Sequence, residues 1–203
     1  MELIVKNKKL VFTFLVLCTL VLAGCQKGDG DADYGFTYVY IPQATFTGTN
    51  NFYPVPGGSG DFASLNFKVD KQGNTPVSLN ILLGVLRAGK FATSEGFTVN
   101  VDVLSIITNE MVASGEISNA LALPSGVYTI PNVASVEANK NSGSFYLSVD
   151  VNKLMDGTYN GKSLVLAVGI SNPNPAHYKL SDSNTSVVVI IDVDAMRSAL
   201  FNN

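Results

Sequence analysis

Chemistry needs side chains that titrate, ligate or stack, and this chain is sparing with them: one histidine, two cysteines and no tryptophan in 203 residues. The histidine, His177, stands beside Tyr178 in the polar stretch from Asn172 to Ser186, with Asn174 and Asp182 nearby. Such residues in a loop at one end of a rigid scaffold can stack on a sugar ring and hydrogen-bond its hydroxyls. Asn174, His177 and Tyr178, joined by Tyr53 from an earlier segment, are therefore the candidate ligand-binding residues. A lone histidine in a polar loop is also an ordinary surface residue, and no cysteine or serine stands at motif spacing from it to form a nucleophile–base pair. The chain contains no HExxH, G-x-S-x-G, P-loop or CxxC motif. A glycosidase would need two carboxylates about 5 to 9.5 Å apart in a cleft, and no pair is nominated by its surroundings. The expectation is a protein that is not an enzyme, with no catalytic residue, metal or cofactor.

Three further constellations have both a functional and a structural reading. Tyr34, Phe36, Tyr38 and Tyr40 alternate, so on an extended strand their rings share one face, with Phe52 and Tyr53 in the next segment. Rings in a row suit pyranose stacking, but the favoured reading has Phe36, Tyr38 and Tyr40 filling a core or covering its edge. Asp150 to Gly157 superficially resembles an oxygen-ligand calcium loop, yet Leu154 stands at the fifth position and Gly161 at the twelfth, where a bidentate glutamate belongs. A strand-to-turn connection is expected there instead. Asp192 and Asp194 alternate and could hold a cation, although solvated carboxylates are the simpler expectation.

The clearest chemical signal is Cys25. Lys6, Lys8 and Lys9 precede an apolar run from Leu10 to Ala23, shorter than the ~20 residues a bilayer-spanning helix needs. The run ends in Leu22-Ala23-Gly24-Cys25, which resembles the bacterial lipobox. That match implies cleavage after Gly24, a thioether-linked diacylglyceryl group on the Cys25 sulfur and acylation of the new amino terminus. With more than one acyl chain the membrane attachment is stable, each buried CH₂ contributing about 0.8 kcal/mol. Residues 1–24 read as the signal peptide and 25–34 as lipidated cysteine plus a Gly/Asp tether. Acidic residues behind the cysteine resemble the export signal of Bacteroidota surface lipoproteins, so the cell-surface face of the outer membrane is the expected location. Cleavage removes three lysines and Glu2, moving the net charge from −3 to −5, so the lipid rather than the protein's field must hold it to an anionic membrane. The same balance leaves nothing to neutralise a phosphate backbone, and nucleic acid is not an expected partner.

The elements that must position these residues are strands. Leu65, Phe67 and Val69 alternate with polar residues, as do Val77, Leu79 and Ile81; Phe97 to Val103; and Phe145 to Val151. Residues 163–170 and 187–193 are nearly continuous apolar runs, expected at the centre of a sheet covered on both faces. Turn-forming clusters at Pro54 to Gly60, Gln72 to Pro76, Asn139 to Gly143 and Asn172 to Pro175 punctuate them. Seven to nine such strands predict an all-β, two-sheet antiparallel sandwich over residues 35–203, in one domain. One short helix is expected over Leu104–Ala113, with Ile106, Ile107 and Met111 on its apolar side.

Three short motifs carry a family resemblance. Tyr40-Ile41-Pro42-Gln43-Ala44, then Leu123-Pro124 with Tyr128-Thr129-Ile130, then Leu154-Met155-Asp156-Gly157-Thr158-Tyr159 occur in the order found in the DUF1735 (BT_3987-like N-terminal domain) family of Bacteroidota lipoproteins. Together with the lipobox they span about residues 35 to 170. The resemblance implies an immunoglobulin-like sandwich on surface lipoproteins, often encoded among polysaccharide-utilisation genes. In that family it precedes a glycan-binding or glycosidase module, whose activity is not carried over here. The function expected from the sequence is an accessory glycan-binding or polysaccharide-uptake lipoprotein. The alternative is a structural or adhesive subunit that contacts neighbouring surface lipoproteins or other proteins through a sheet edge or the aromatic face.

Overall fold

Two unusually long strands organise the domain. A computed structural model describes residues 37–46, 48, 50–57, 66–89 and 95–201; Cys25, the apolar run before it, the tether, Tyr34 and Phe36 lie outside the described residues. In chain order the elements are β1 (Tyr38–Tyr40), a 3-10 turn (Pro42–Thr45), β2 (Phe52–Val55), β3 (Phe67–Gln72), β4 (Thr75–Ala88), β5 (Phe97–Val103), α1 (Ser105–Ser114), β6 (Ala120–Ala122), β7 (Tyr128–Thr129) and β8 (Val133–Val136). After them come β9 (Ser142–Asp150), α2 (Val151–Leu154), a second 3-10 turn (Gly157–Tyr159), β10 (Ser163–Asn174), β11 (Lys179–Leu180), β12 (Ser186–Asp192) and α3 (Val193–Phe201). One sheet runs β11-β1-β4-β9-β7 with β3 also on β4; the other runs β2-β12-β10-β5-β8 with β6 also on β10. The all-β sandwich expected from the alternation is what forms. Its strand pairs are not all antiparallel, because β1 with β11, β2 with β12 and β6 with β10 pair in parallel at the rims.

The core follows the period-two pattern. Leu79, Ile81, Leu83 and Val85 of β4 and Phe145, Leu147 and Val149 of β9 point inward against Val99, Leu164, Leu166, Val168, Val187, Val189 and Ile191 of the second sheet. β10 and β12 are buried on their other face too, since α1 lays Ile107, Met111 and Val112 over Val165, Ala167 and Val188. That is why those two runs are apolar at successive positions rather than alternate ones. The helix differs from the expected one on one residue: Ile106 is 76% exposed, and the buried residue of α1 is Thr108. Gly115, at φ +73, ends the helix in the left-handed conformation that suits glycine.

Each long strand is served on one side by two short partners, which leaves a gap in the ladder between them. On β4 the gap separates β1, paired at 86–88, from β3, paired at 75–81. The orphan Gly84 N–H there donates to Gln43 Oε1 at 3.1 Å. On β10 the gap lies between β6 and β5, and the Ala167 N–H donates to Thr108 Oγ1 at 2.9 Å. A buried unpaired N–H costs about 1–3 kcal/mol, so both side chains remove a real penalty. The sheets also approach closely at a corner where Gly143 faces β8. A Cβ on Gly143 would lie 2.1 Å from the Ser135 carbonyl oxygen, so only glycine fits.

Of the favoured expectation, core or edge cover, Tyr38 and Tyr40 do not meet the core half. Val39 and Ile41 are fully buried, whereas Tyr38 is 39% exposed and Tyr40 half-buried. Tyr38 and Tyr40 therefore belong to the outer face of the first sheet, because β1 and the residue after it put the aliphatic Val39 and Ile41 into the core.

Candidate functional site

The residues nominated from the sequence do not converge on a ligand surface. Tyr178 is 2% exposed, its ring packed against Phe97 at 4.7 Å between centroids and against His177 at 4.4 Å. Its hydroxyl donates to the Glu95 carbonyl at 2.9 Å and accepts from Arg87 Nη1 at 3.2 Å. His177 Nε2 lies 3.7 Å from the Glu95 carboxylate. Asn174 is exposed at the end of β10, opposite Thr98. Tyr53 is elsewhere, 3% exposed on β2 and edge-on to Phe46 at 5.3 Å. Burial pushes the Tyr53 hydroxyl up to about 12, against a smaller opposing effect of its hydrogen bond to Asn66. Neither tyrosine ring presents a face for stacking: a ring large enough to stack on a sugar also buries the most apolar area, and these two fill the core.

What the end loops build instead is a clamp. Arg87, 9% exposed, ends the inward row Leu79-Ile81-Leu83-Val85. Nη1 reaches the Glu95 carbonyl at 3.2 Å as well as Tyr178, and Nη2 reaches the Lys140 carbonyl at 2.9 Å and Asn141 Oδ1 at 3.1 Å. Four neutral acceptors from three separate loops are thus tied to one planar fork.

The two cation candidates also have structural employment. Asp150 Oδ1 accepts from the Asn152 and Lys153 N–H groups at 3.0 and 3.4 Å and caps α2. Asp156 Oδ1 accepts from Thr158 N and Oγ1 at 2.9 and 2.6 Å, and these bonds lower its pKa below the ordinary 3.8. Asp192 and Asp194 do not share a strand face: Asp192 caps α3 through the Ala195 N–H at 2.9 Å, and Asp194 accepts from Gly161 N at 3.2 Å. Among the described residues no group of three or more His, Cys, Asp and Glu could hold a metal ion.

Polar groups converge instead on the outer face of the first sheet, where β4, β9 and β7 run side by side. An open groove of about 300 Å³ is lined there by Val77, Val127 and Val149 together with Ser78, Gly126, Tyr128, Thr129, Ser148, Asp150 and Lys153, a volume at the lower end of small-ligand sites. Register explains the convergence, since Ser78 pairs with Asp150 and Thr129 with Ser148. Asn80, outside the groove lining, orders two of its serines: its Oδ1 accepts from Ser148 Oγ at 2.6 Å and Ser78 Oγ at 3.3 Å, while its Nδ2 donates to Asp70 Oδ2 at 2.8 Å. With both serine protons spent on Asn80, the serine oxygens offer lone pairs to the groove. Lys153 Nζ donates to the Gly126 carbonyl at 2.7 Å and sits 3.9 Å from Asp150 Oδ2, which leaves the ammonium further protons to give. Burial raises the Tyr128 pKa at the groove wall. One residue pair along the sheet, the Tyr146 ring has Lys68 Nζ 5.6 Å from its centroid.

Sequence reasoning passed over these residues because each stands at the polar position of an alternating strand, where solvent exposure explains it fully. Their meeting depends on which strands are neighbours, and no spacing in the chain reports that. The visible signal was chemical uniformity: Ser78, Asn80, Ser148 and Thr129 are all hydroxyl or amide residues on wet faces that elsewhere carry charge.

No protein-family model matches the chain. No curated protein matches it either. Solved structures match it at low identity and with TM-scores under 0.5. A putative carbohydrate binding protein from Bacteroides ovatus matches with 13% identity and TM-score 0.47, over 76% of this chain and 36% of that one. An auxiliary nutrient binding protein from Bacteroides thetaiotaomicron matches with 17% identity and TM-score 0.46, over 69% and 42%. EndoBT-3987 of the same species, solved with a Man5GlcNAc product, matches with 13% identity and TM-score 0.46, over 76% and 30%. The chain thus spans less than half the length of these Bacteroides proteins, and its function has to be read from its own residues.

Proposed function

We propose that this protein is a non-catalytic accessory lipoprotein that binds a glycan in the groove between β4, β9 and β7. The observation that carries the reading is the hydroxyl–amide network of Ser78, Asn80 and Ser148 beside the Asp150–Lys153 pair. Sugar hydroxyls both donate and accept, so a site for them needs closely spaced acceptors and donors fixed before the ligand arrives. Asn80 fixes two hydroxyls, and the cap on α2 fixes Asp150. Pre-ordered groups lose little entropy on binding, which is how a shallow site gains affinity. The groove lies at the Ser78 end of β4, away from the Ala88 end, where β1 brings the chain into the sheet. Membership of the DUF1735 family, lipidation at Cys25 and display on the outer surface belong to the same proposal and rest on the sequence motifs.

Affinity electrophoresis of the full-length protein, purified in zwitterionic detergent, through gels containing plant, fungal and host polysaccharides tests the reading. Retardation by at least one polymer, lost in the Ser148→Ala/Lys153→Ala variant with unchanged thermal unfolding, is the expected result. Unretarded migration in every gel would overturn it and favour the protein-contact alternative, to be followed by cross-linking on intact cells.

A further inference from the structure

Asp70 does not line the groove, yet it decides which way the hydrogen bonds of the groove run. Across β3, β4 and β9, Asp70 stands opposite Ser78 and Ser78 opposite Asp150. In the next outward row Lys68 stands opposite Asn80 and Asn80 opposite Ser148. This face therefore carries both signs of charge, with Lys68, Asp70, Asp150 and Lys153 set around the uncharged Ser78, Asn80 and Ser148.

The bond between Asn80 Nδ2 and Asp70 Oδ2, at 2.8 Å, has only one possible direction. A carboxylate accepts and cannot donate, so the NH₂ end of the Asn80 amide must face Asp70. The amide oxygen is then turned the other way, to Ser148 Oγ at 2.6 Å and Ser78 Oγ at 3.3 Å. That oxygen has no proton, so both serines must be the donors. Polarity is thus handed from Asp70, through Asn80, to two serines that line the groove.

Each serine oxygen is left with lone pairs, and no proton, for a ligand. Both lie against the same Asn80 oxygen, which places them within about 6 Å of each other. Two hydroxyl groups on one sugar ring can meet that spacing. Lys153 has the complementary character: one ammonium proton goes to the Gly126 carbonyl at 2.7 Å, and others remain for an acceptor.

Resting on the glycan-binding reading, we infer that Asp70 is a positioning residue that fixes Ser78 and Ser148 as acceptors. The groove therefore selects a sugar unit with two neighbouring free hydroxyl groups that donate to the serines and a lone pair turned to Lys153. Oxygens that are O-methylated or O-acetylated at those two places have no proton to give, and they would meet the serine oxygens acceptor to acceptor. Reversing the polarity of the serines costs about tenfold or more in affinity, because bonds to the ligand are lost and polar groups are left unpaired.

The test compares three full-length proteins in zwitterionic detergent: wild type, Asp70→Lys and Asp70→Lys/Asn80→Asp. A lysine at position 70 offers only protons, so the Asn80 amide turns its oxygen to it and its NH₂ to the serines, whose own protons then point into the groove. In the double variant the carboxylate at position 80 accepts from the lysine and from both serines, which restores the original polarity with the lysine still in place. Affinity electrophoresis is run through gels of xylan, mannan, β-glucan and pectin. Whichever polymer retards wild type should bind Asp70→Lys about tenfold or more weakly and the double variant within about threefold of wild type. Wild-type affinity in Asp70→Lys, or a loss that the double variant does not recover, would overturn the inference and leave the groove as a glycan site. A ligand-free measurement on wild type stands beside these. Scalar coupling across the hydrogen bond from the Asn80 side-chain nitrogen to the Asp70 carboxyl carbon is expected, and its absence would also overturn the inference. No retardation of wild type in any gel would instead overturn the glycan reading and the ligand class with it, while the coupling still decides whether Asp70 holds the amide.

Discussion

Replacing Arg87 separates the structural role of the end loops from any role in binding. The guanidinium makes four hydrogen bonds, to the Glu95 and Lys140 carbonyls, Asn141 Oδ1 and Tyr178 Oη. Hydrogen bonds from a charged group are worth about 1.5–3 kcal/mol each, and the cost of burying the guanidinium offsets much of their sum. Asn141 is exposed and can turn to water, and the Glu95 carbonyl keeps its bond from Tyr178, so Arg87→Met should cost about 3 kcal/mol. For a domain of this size that corresponds to a fall of about 6–12 °C in melting temperature. With a urea m-value of about 2 kcal/mol/M it corresponds to a midpoint shift of about 1.5 M. Arg87→Lys should recover only part of the loss, because an ammonium cannot span four acceptors held by a planar fork. Tyr178→Phe should cost about 1–2 kcal/mol, and the double variant should cost less than the two singles together, with a coupling of at least about 0.5 kcal/mol. Urea denaturation of wild type and the four variants measures all of this. An Arg87→Met variant within about 0.5 kcal/mol of wild type, or strict additivity with Tyr178→Phe, would refute the clamp.

Other substitutions read the packing and the ionisations directly. Gly143→Ala should destabilise by about 3 kcal/mol or more, since the added carbon meets the Ser135 carbonyl and backbone must move; chemical denaturation measures it. Thr37→Val should instead raise stability by about 1 kcal/mol, because Thr37 Oγ1 is buried with no hydrogen-bond partner among the described residues; a lower melting temperature would contradict this. Tyr53 ionises near 12 in the fold against 10.0 ordinarily. The stability it contributes is whole below pH 10 and lost as pH rises toward 12, so Tyr53→Phe should blunt alkaline unfolding and remove the highest phenolate step in an ultraviolet titration. Asp156, with its pKa lowered by Thr158, acts in the opposite sense. Its contribution is present above its ordinary value of 3.8 and fades as pH falls through the lower folded value, and Asp156→Asn should flatten that part of the acid stability profile.

The strands were legible wherever one face was wet. β5 was read with its observed bounds, and the continuous runs at 163–170 and 187–193 were correctly placed at the sheet centre, because apolar residues on both faces leave few alternatives. β4 was read only over its first part. From Leu82 onward it carries apolar residues on both faces and then an arginine on the inner one, so alternation stops being visible just where the strand becomes central. Tyr38 and Tyr40 were oriented by hydrophobic size, and the fold instead buries Val39 and Ile41, whose aliphatic shape fits between the sheets. The motifs that resemble the DUF1735 family acquire physical meaning only in three dimensions: Gln43 closes the ladder gap at Gly84, and Asp156 caps the turn at Thr158. Tyr178 was found as a notable residue for the wrong reason, as a ligand-facing ring and not the buried hinge of the Arg87 clamp. The groove was not legible at all, since Ser78, Thr129 and Ser148 are far apart in the chain and unremarkable singly.

The central claim is the location of the binding face, and amide chemical-shift mapping tests it most directly. An oligosaccharide selected by gel retardation is titrated into the isotopically labelled full-length protein in micelles. Shifts clustered at Ser78, Thr129, Ser148, Asp150 and Lys153 are the predicted result. Shifts confined to Asn174, His177 and the surrounding end loops would contradict it and return the site to the place where the sequence alone put it.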